Sequence, residues 1–215
     1  MSNELLDVYD ENENFIEALP RSVVHEKGLW HKTTHCWLVK KPNTLLFQMR
    51  SKNLNNNPGK LYTTASGHVG SEESLKDALK REVEEELGAT LDTHNAELVR
   101  KGQYIADFET TDGKEFHDRA LFHVFLLETD KDLKEFDFQE EELDGVYELP
   151  IRETLELMKT CNGSVKAVGS YKENGEILTK EHDIKIEDFL VLGHETPYEK
   201  FGNTLESALE YLESK

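Results

Sequence analysis

One segment restricts the fold more than any other. Gly67 to Ala89 reads GHVGSEESLKDALKREVEEELGA. A short loop with two glycines runs into an acid-rich stretch whose large apolar residues, Leu75, Leu79, Val83 and Leu87, recur every fourth position. At about 100° per residue and with Val83 at zero, they fall near −80°, −40°, 0° and +40°, a single stripe. The spacing predicts an amphipathic helix over Ser71 to Leu87 that must bury this stripe against a sheet or other helices. Ser71 is the expected N-cap, Glu72 and Glu73 suit the positive end of the helix dipole, and Gly88 is the expected stop.

The same wheel sorts the acids. Glu82, Glu85 and Glu86 fall near −100°, −160° and −60°, so they share one side of the helix. Glu86 lies inside the apolar stripe and Glu82 borders it. A carboxylate turned toward a packed face is costly unless its charge is compensated, and neighbours at i, i+3 and i, i+4 repel each other. A divalent cation removes both penalties, and an oxygen-only ligand set favours Mg²⁺ or Mn²⁺ together with substrate phosphates. An ordinary solvated helix explains Glu84, on the open side, but not Glu86. Arg81 can pair with Glu73 or Glu85 and hold a carboxylate in place. Gly67 permits close approach of a ligand, so its carbonyl is a candidate member of the metal site.

Composition narrows the partners. The chain has 215 residues and 25 Lys and Arg against 44 Asp and Glu, a formal charge of −19. That balance argues against a nucleic-acid backbone as partner, whereas a bound cation can still admit a phosphate substrate. No apolar run approaches the roughly 18 residues of a membrane span. The longest, Ala120 to Leu127, has the length of a buried strand. Cys36 and Cys161 are the two cysteines. With no secretory pattern at the N-terminus, free thiols and a cytoplasmic location are expected.

Strands are expected at Leu5 to Tyr9, Thr33 to Val39, Thr44 to Arg50, Glu97 to Ala106, Glu115 to Leu127 and Gly145 to Leu149. Pro42-Asn43 makes the second and third a hairpin, and Thr111-Asp112-Gly113 is a turn between the long pair. Leu61 to Ala65 leads as a short extended segment into Gly67. Pro20 to Lys27 reads as a connector. Ile151 to Met158 and Thr204 to Leu212 carry helical patterns. Strands flanking one strong helix suggest an α+β sheet with helices packed on it.

The acidic helix and its loop resemble the Nudix box, G-x5-E-x7-R-E-U-x-E-E-x-G-U with U a bulky aliphatic residue. Gly67, Glu73, Arg81, Glu82, Val83, Glu85, Glu86 and Gly88 match it, and Ala89 departs from the last U. The resemblance implies the Nudix fold, a mixed sheet between helices. It implies hydrolysis of a nucleoside diphosphate linked to another group, with Glu82, Glu85 and Glu86 on the metals, the Gly67 carbonyl assisting, and Glu73 and Arg81 in support. Nudix enzymes take their general base from different places; one of the helix glutamates and Glu142, in the acidic loop Glu140-Glu141-Glu142, are the candidates here. Residues 1 to 160 are the expected Nudix domain and residues 161 to 215 a C-terminal extension. The expected ligand is a small diphosphate; a homodimer stays open.

A looser similarity over residues 1 to 160 is to the branch of Nudix proteins related to isopentenyl-diphosphate isomerase. Those isomerases carry a catalytic cysteine in a Cys-Gly-His segment, where this chain has Ser66-Gly67-His68, and a later glutamate, where it has His117-Asp118-Arg119. A hydroxyl is a far weaker acid than a thiol, so hydrolysis is the expected activity. Isomerase-like chemistry and a silent domain that binds a nucleotide or protein are the alternatives. His25, His31, His35 and His68 are candidate metal ligands only in the isomerase reading, and Trp30, Tyr104 and Phe108 are candidates to stack on a base.

Overall fold

The computed structural model describes residues 4–54, 57–109, 113, 115–191 and 195–215. Among the described residues, eleven strands and four α-helices follow one another as β1 (Leu5–Tyr9), β2 (Phe15–Pro20), α1 (Arg21–Lys27), β3 (Trp30–Lys40), β4 (Thr44–Arg50), β5 (Leu61–Tyr62), β6 (Ala65–His68), α2 (Leu75–Leu87), β7 (Glu97–Glu109), β8 (Glu115–Glu128), β9 (Leu143–Pro150), α3 (Ile151–Thr160), β10 (Val165–Glu173), β11 (Glu176–Ile184) and α4 (Asn203–Glu213). The strands form one sheet with the path β11-β10-β9-β4-β3-β1-β2, to which β5, β6, β7 and β8 attach. β3 runs parallel to β8 and antiparallel to β1, β4 and β6, so the sheet is mixed.

Alternation along β3 and β4 builds two cores. Cys36, Leu38 and Leu46 face the cluster that holds Leu79, Val83 and Leu87 of α2. Trp37, Val39, Leu45 and Phe47 face the other, with Leu155 and Met158 of α3 and Leu205, Ala208 and Tyr211 of α4. Successive strand side chains point to opposite faces, so each strand serves both layers. The sheet is therefore sandwiched between α2 on one side and α3 with α4 on the other, the α+β Nudix arrangement expected from the sequence. Leu79, Val83 and Leu87 are fully buried, each burial worth roughly 1.5–3 kcal/mol.

Two expectations need correction. The N-cap of α2 is Ser74, not Ser71; its side chain accepts from the Asp77 N–H. Glu72 takes a left-handed φ of 63°, and the Glu73 N–H donates to the Gly70 carbonyl, so Ser71 to Glu73 turn before the helix begins. Glu72 and Glu73 thus lie outside the helix, and Asp77 is the acid of its first turn. Pro20 to Lys27 is not a connector, because α1 starts at Arg21 and buries Val24 and His25. Strand β2 was not legible, since Phe15, Ile16, Glu17 and Ala18 are all exposed on it and no apolar face alternates.

The other expected strands and helices lie where expected, several extended by a few residues, and β10 and β11 add a hairpin for which no strand positions were expected. β3 and β4 form the hairpin. β7 and β8 pair antiparallel over their length, while Thr111 and Asp112 of the expected turn lie outside the described residues. β10 pairs with β9 and with β11, so Val165–Ile184 continues the sheet beyond α3. Cys36 and Cys161 are free thiols. Among the described residues, no helix is long and apolar enough to cross a membrane.

Candidate active site

β6 delivers Ser66, Gly67 and His68 to Arg81, Glu82 and Glu86 of α2, and the contact is close. A Cβ added at Gly67 would overlap the Glu82 carboxylate, so only glycine leaves room for that side chain. Arg81 organises the segment. Its Nε and Nη2 donate to the two oxygens of Glu73 at 3.0 and 2.9 Å. Its Nη1 reaches Glu82 at 2.6 Å and Glu85 at 3.3 Å, and Nη2 also donates to the His68 carbonyl at 2.9 Å. The second oxygen of Glu73 accepts from the Gly70 N–H at 2.8 Å. Loop, helix start and two of the acids are thereby tied to one guanidinium, whose planar fork suits such bridging.

Glu86 points into the stripe as the wheel requires. Its Oε2 accepts from the Gln48 amide of β4 and the Ser66 N–H, both at 3.2 Å. Burial, and then the neighbouring Glu82 charge, push its carboxyl well above the ordinary range. Glu82 is also raised, by burial against the opposing pull of Arg81. The Arg50 guanidinium is near enough to pull the pKa of Glu86 down in part, but the rise from burial prevails. Glu85 is more open, its side chain 57% exposed. A buried carboxylate raised by burial, beside the Glu82 and Glu85 carboxylates, is a set of hard oxygen ligands that fits a divalent cation.

Glu142 lies in the exposed turn before β9, and its charge contributes to the raised pKa of Glu86. That turn is fastened to the end of α2, where the Gln139 side chain donates to the Glu85 carbonyl at 2.9 Å, and to the end of β4, where the Glu142 carbonyl accepts from the Ser51 N–H at 2.8 Å. The helix acids, Gly67 and Glu142 are therefore all brought to one end of α2.

A cavity of about 400 Å³ opens beside this cluster, lined in part by Ser66, Gly67 and His68. Tyr104 and Phe108, candidates for ring stacking, line it; Trp30 does not. Sequence reasoning missed Tyr62, Arg100, Phe122, Glu195 and Lys200, which also line it. They come from strands and a tail whose spacing carries no motif.

The histidines divide. His35 lines the cavity, and burial lowers its pKa to about 4. His25, His31 and His68 gather with ligand atoms within 4.8 Å of one another. His25 Nε2 lies 3.1 Å from His68 Nε2, and His31 Nε2 lies 3.5 Å from the Asp118 carboxylate. Burial drives His25 down to about 4 and also lowers His31 and His68. His25 Nδ1, His31 Nε2 and Asp118 Oδ1 are buried without a hydrogen-bond partner. Neutral imidazoles with free lone pairs are competent metal ligands. The sequence offered no glutamate here, but Asp118 supplies a carboxylate.

Comparison with known proteins gives the family of the chain. The family model described as the NUDIX domain matches residues 10–167. The chain is 34% identical over 172 residues to an uncharacterised Nudix hydrolase of Clostridium acetobutylicum, covering 79% of this chain and 81% of that protein. It is 31% identical over 162 residues to Nudix hydrolase 3 of Arabidopsis thaliana, covering 71% of this chain but 20% of that much longer protein. A crystal structure of a Deinococcus radiodurans protein superposes with a TM-score of 0.51 at 20% identity, covering 73% of this chain and 90% of that one, a likeness of fold. With a matched domain model over most of its length and a similar hydrolase along four fifths of it, the chain belongs to the Nudix family and is a pyrophosphohydrolase.

Proposed function

We propose that the chain cleaves the diphosphate linkage of a nucleoside diphosphate derivative, using Mg²⁺ or Mn²⁺ held by Glu82, Glu85 and Glu86 with help from the Gly67 carbonyl. The observation that carries this reading is the enclosed Glu86 carboxylate, raised by burial and by Glu82 more than the Arg50 charge lowers it, with the Glu82 carboxylate beside it. A divalent ion there supplies charge neutralisation for the diphosphate and acidifies water. Arg81 keeps Glu82 and Glu85 facing the same side and holds the His68 carbonyl beside them. Glu142, exposed and close enough to act on Glu86, is the residue we assign to take the proton of the attacking water. Tyr104 and Phe108 offer ring faces for a base in the adjoining cavity.

One observation favours a second reading, isomerase-like chemistry at a histidine-bound metal: the His25, His31 and His68 cluster beside Asp118. Nitrogen ligands with a carboxylate suit a transition metal. Against it, neither thiol is available as a carbon acid-base group. Cys36 is buried in the core with its pKa pushed up by burial, and Cys161 follows the last turn of α3.

A release assay with Mg²⁺ against nucleotide sugars, dinucleotides, nucleoside triphosphates and isopentenyl diphosphate separates the two readings. Hydrolysis of a nucleotide by the wild type and its loss in Glu86→Gln are expected. Full turnover in Glu86→Gln would remove the metal role of that residue, and isomerisation of isopentenyl diphosphate would replace hydrolysis with the second reading.

A further inference from the structure

The cavity beside Gly67 has a wall that the family match does not include. The matched region ends at residue 167, yet Glu195, Glu199, Lys200, Phe201 and Thr204 line the cavity. They belong to the π-helical turn Tyr198–Gly202, the residues just before it, and the start of α4. The turn is anchored by Phe201, which is 2% exposed and packs on Trp37 and Phe47. Its neighbour Lys200 is thereby fixed against the cavity rather than free on the surface.

Lys200 is in an unusual state for a lysine. Its Nζ lies over the rings of Tyr62 and Tyr104, 5.4 and 5.7 Å from their centroids. It forms no ion pair with any described carboxylate. Across the cavity the Arg100 guanidinium sits 5.3 Å from the Phe122 ring centre, likewise without an ion pair. Both cations are near enough to buried His35 to lower its pKa, after the larger effect of burial. The acids on this wall offset them only in part: burial lowers the Lys200 pKa more than the Glu195 charge raises it. Glu199 is occupied by the Thr196 N–H and hydroxyl at 2.7 and 2.9 Å. Glu195 is exposed to solvent. Asp118 sits by His31. Two partly desolvated cations held by aromatic rings, in a cavity that ends at Gly67, are a site in want of an anion.

We propose that Lys200, with Arg100, forms a phosphate-binding subsite of the substrate cavity, contributed in part by the C-terminal segment. Lys200 is then a specificity-determining residue: it binds phosphate oxygens, either of the diphosphate itself or of a further phosphate on the nucleoside. The proposal rests on this cavity being the substrate site, and a binding test without metal or turnover keeps its failure separate from that of the hydrolase reading.

The test is calorimetric titration in EDTA with adenosine, AMP, pyrophosphate and adenosine 3′,5′-bisphosphate. Wild type should bind the three phosphate compounds. Lys200→Met, which keeps the aliphatic stem, should weaken adenosine 3′,5′-bisphosphate about tenfold or more, the size of a hydrogen bond to a charged group, and leave adenosine unchanged. Equal loss for pyrophosphate and the bisphosphate assigns the subsite to the diphosphate; loss confined to the bisphosphate assigns it to a further phosphate. Lys200→Arg, which keeps the charge, should bind like wild type. Absence of phosphate binding in wild type, unchanged binding in Lys200→Met, an equal loss of adenosine, or a Lys200→Arg variant as weak as Lys200→Met would overturn the proposal.

Discussion

Glu86→Gln should make the metal-free protein more stable, although it removes a residue assigned to the reaction. In the folded chain the Glu86 carboxylate keeps two neutral donors at 3.2 Å, Gln48 and Ser66, and faces Glu82 and Glu142. The amide oxygen of glutamine can still accept both donors, and its NH₂ turns toward the neighbouring carboxylates. What disappears is a buried charge whose desolvation outweighs the pull of Arg50, a change worth roughly 1–3 kcal/mol. The sign with pH follows from linkage. Native Glu86 holds its proton to higher pH than in the unfolded chain, because burial raises it. The unfolded chain therefore ionises first, and wild-type stability falls as pH rises from about 4.3 through the native value. Urea denaturation in EDTA at several pH values reads this directly. The variant should exceed wild type at pH 8, with the gap closing toward pH 4. Saturating Mg²⁺ should reverse the order by stabilising wild type alone. A variant no more stable than wild type at pH 8, or a gap that widens at low pH, would refute the reasoning.

Two further outcomes follow from packing. Gly67→Ala should sharply lower turnover and cost about 1–3 kcal/mol, because the new methyl overlaps the Glu82 carboxylate; kinetics together with a denaturation curve check both parts. Leu79→Ala should cost about 2–5 kcal/mol, because Leu79 is fully buried against the sheet; a urea midpoint equal to wild type would show that the stripe does not carry α2.

The helix acids were readable because their chemistry conflicts with their position. Glu86 falls among leucines on the wheel, and the fold does enclose its carboxylate. The parts held by long-range contact were not readable. The true N-cap of α2 is Ser74 because Glu73 turns back to Gly70 and Arg81, a bond between residues eight apart that local N-cap preference does not register. The histidine cluster joins α1, β3 and β6, and its carboxylate, Asp118, arrives from β8 through the parallel pairing with β3. Lys200 reaches the cavity only because Phe201 is buried under the sheet. No spacing within one element encodes any of these meetings.

The most direct measurement is Mn²⁺ titration by electron paramagnetic resonance on wild type, Glu82→Gln and Glu86→Gln. The account predicts Mn²⁺ binding to wild type that Mg²⁺ displaces, weakened about 10-fold or more in both variants, as expected when a ligand is lost. Equal Mn²⁺ affinity in all three proteins would contradict the assignment of the helix glutamates to the metal.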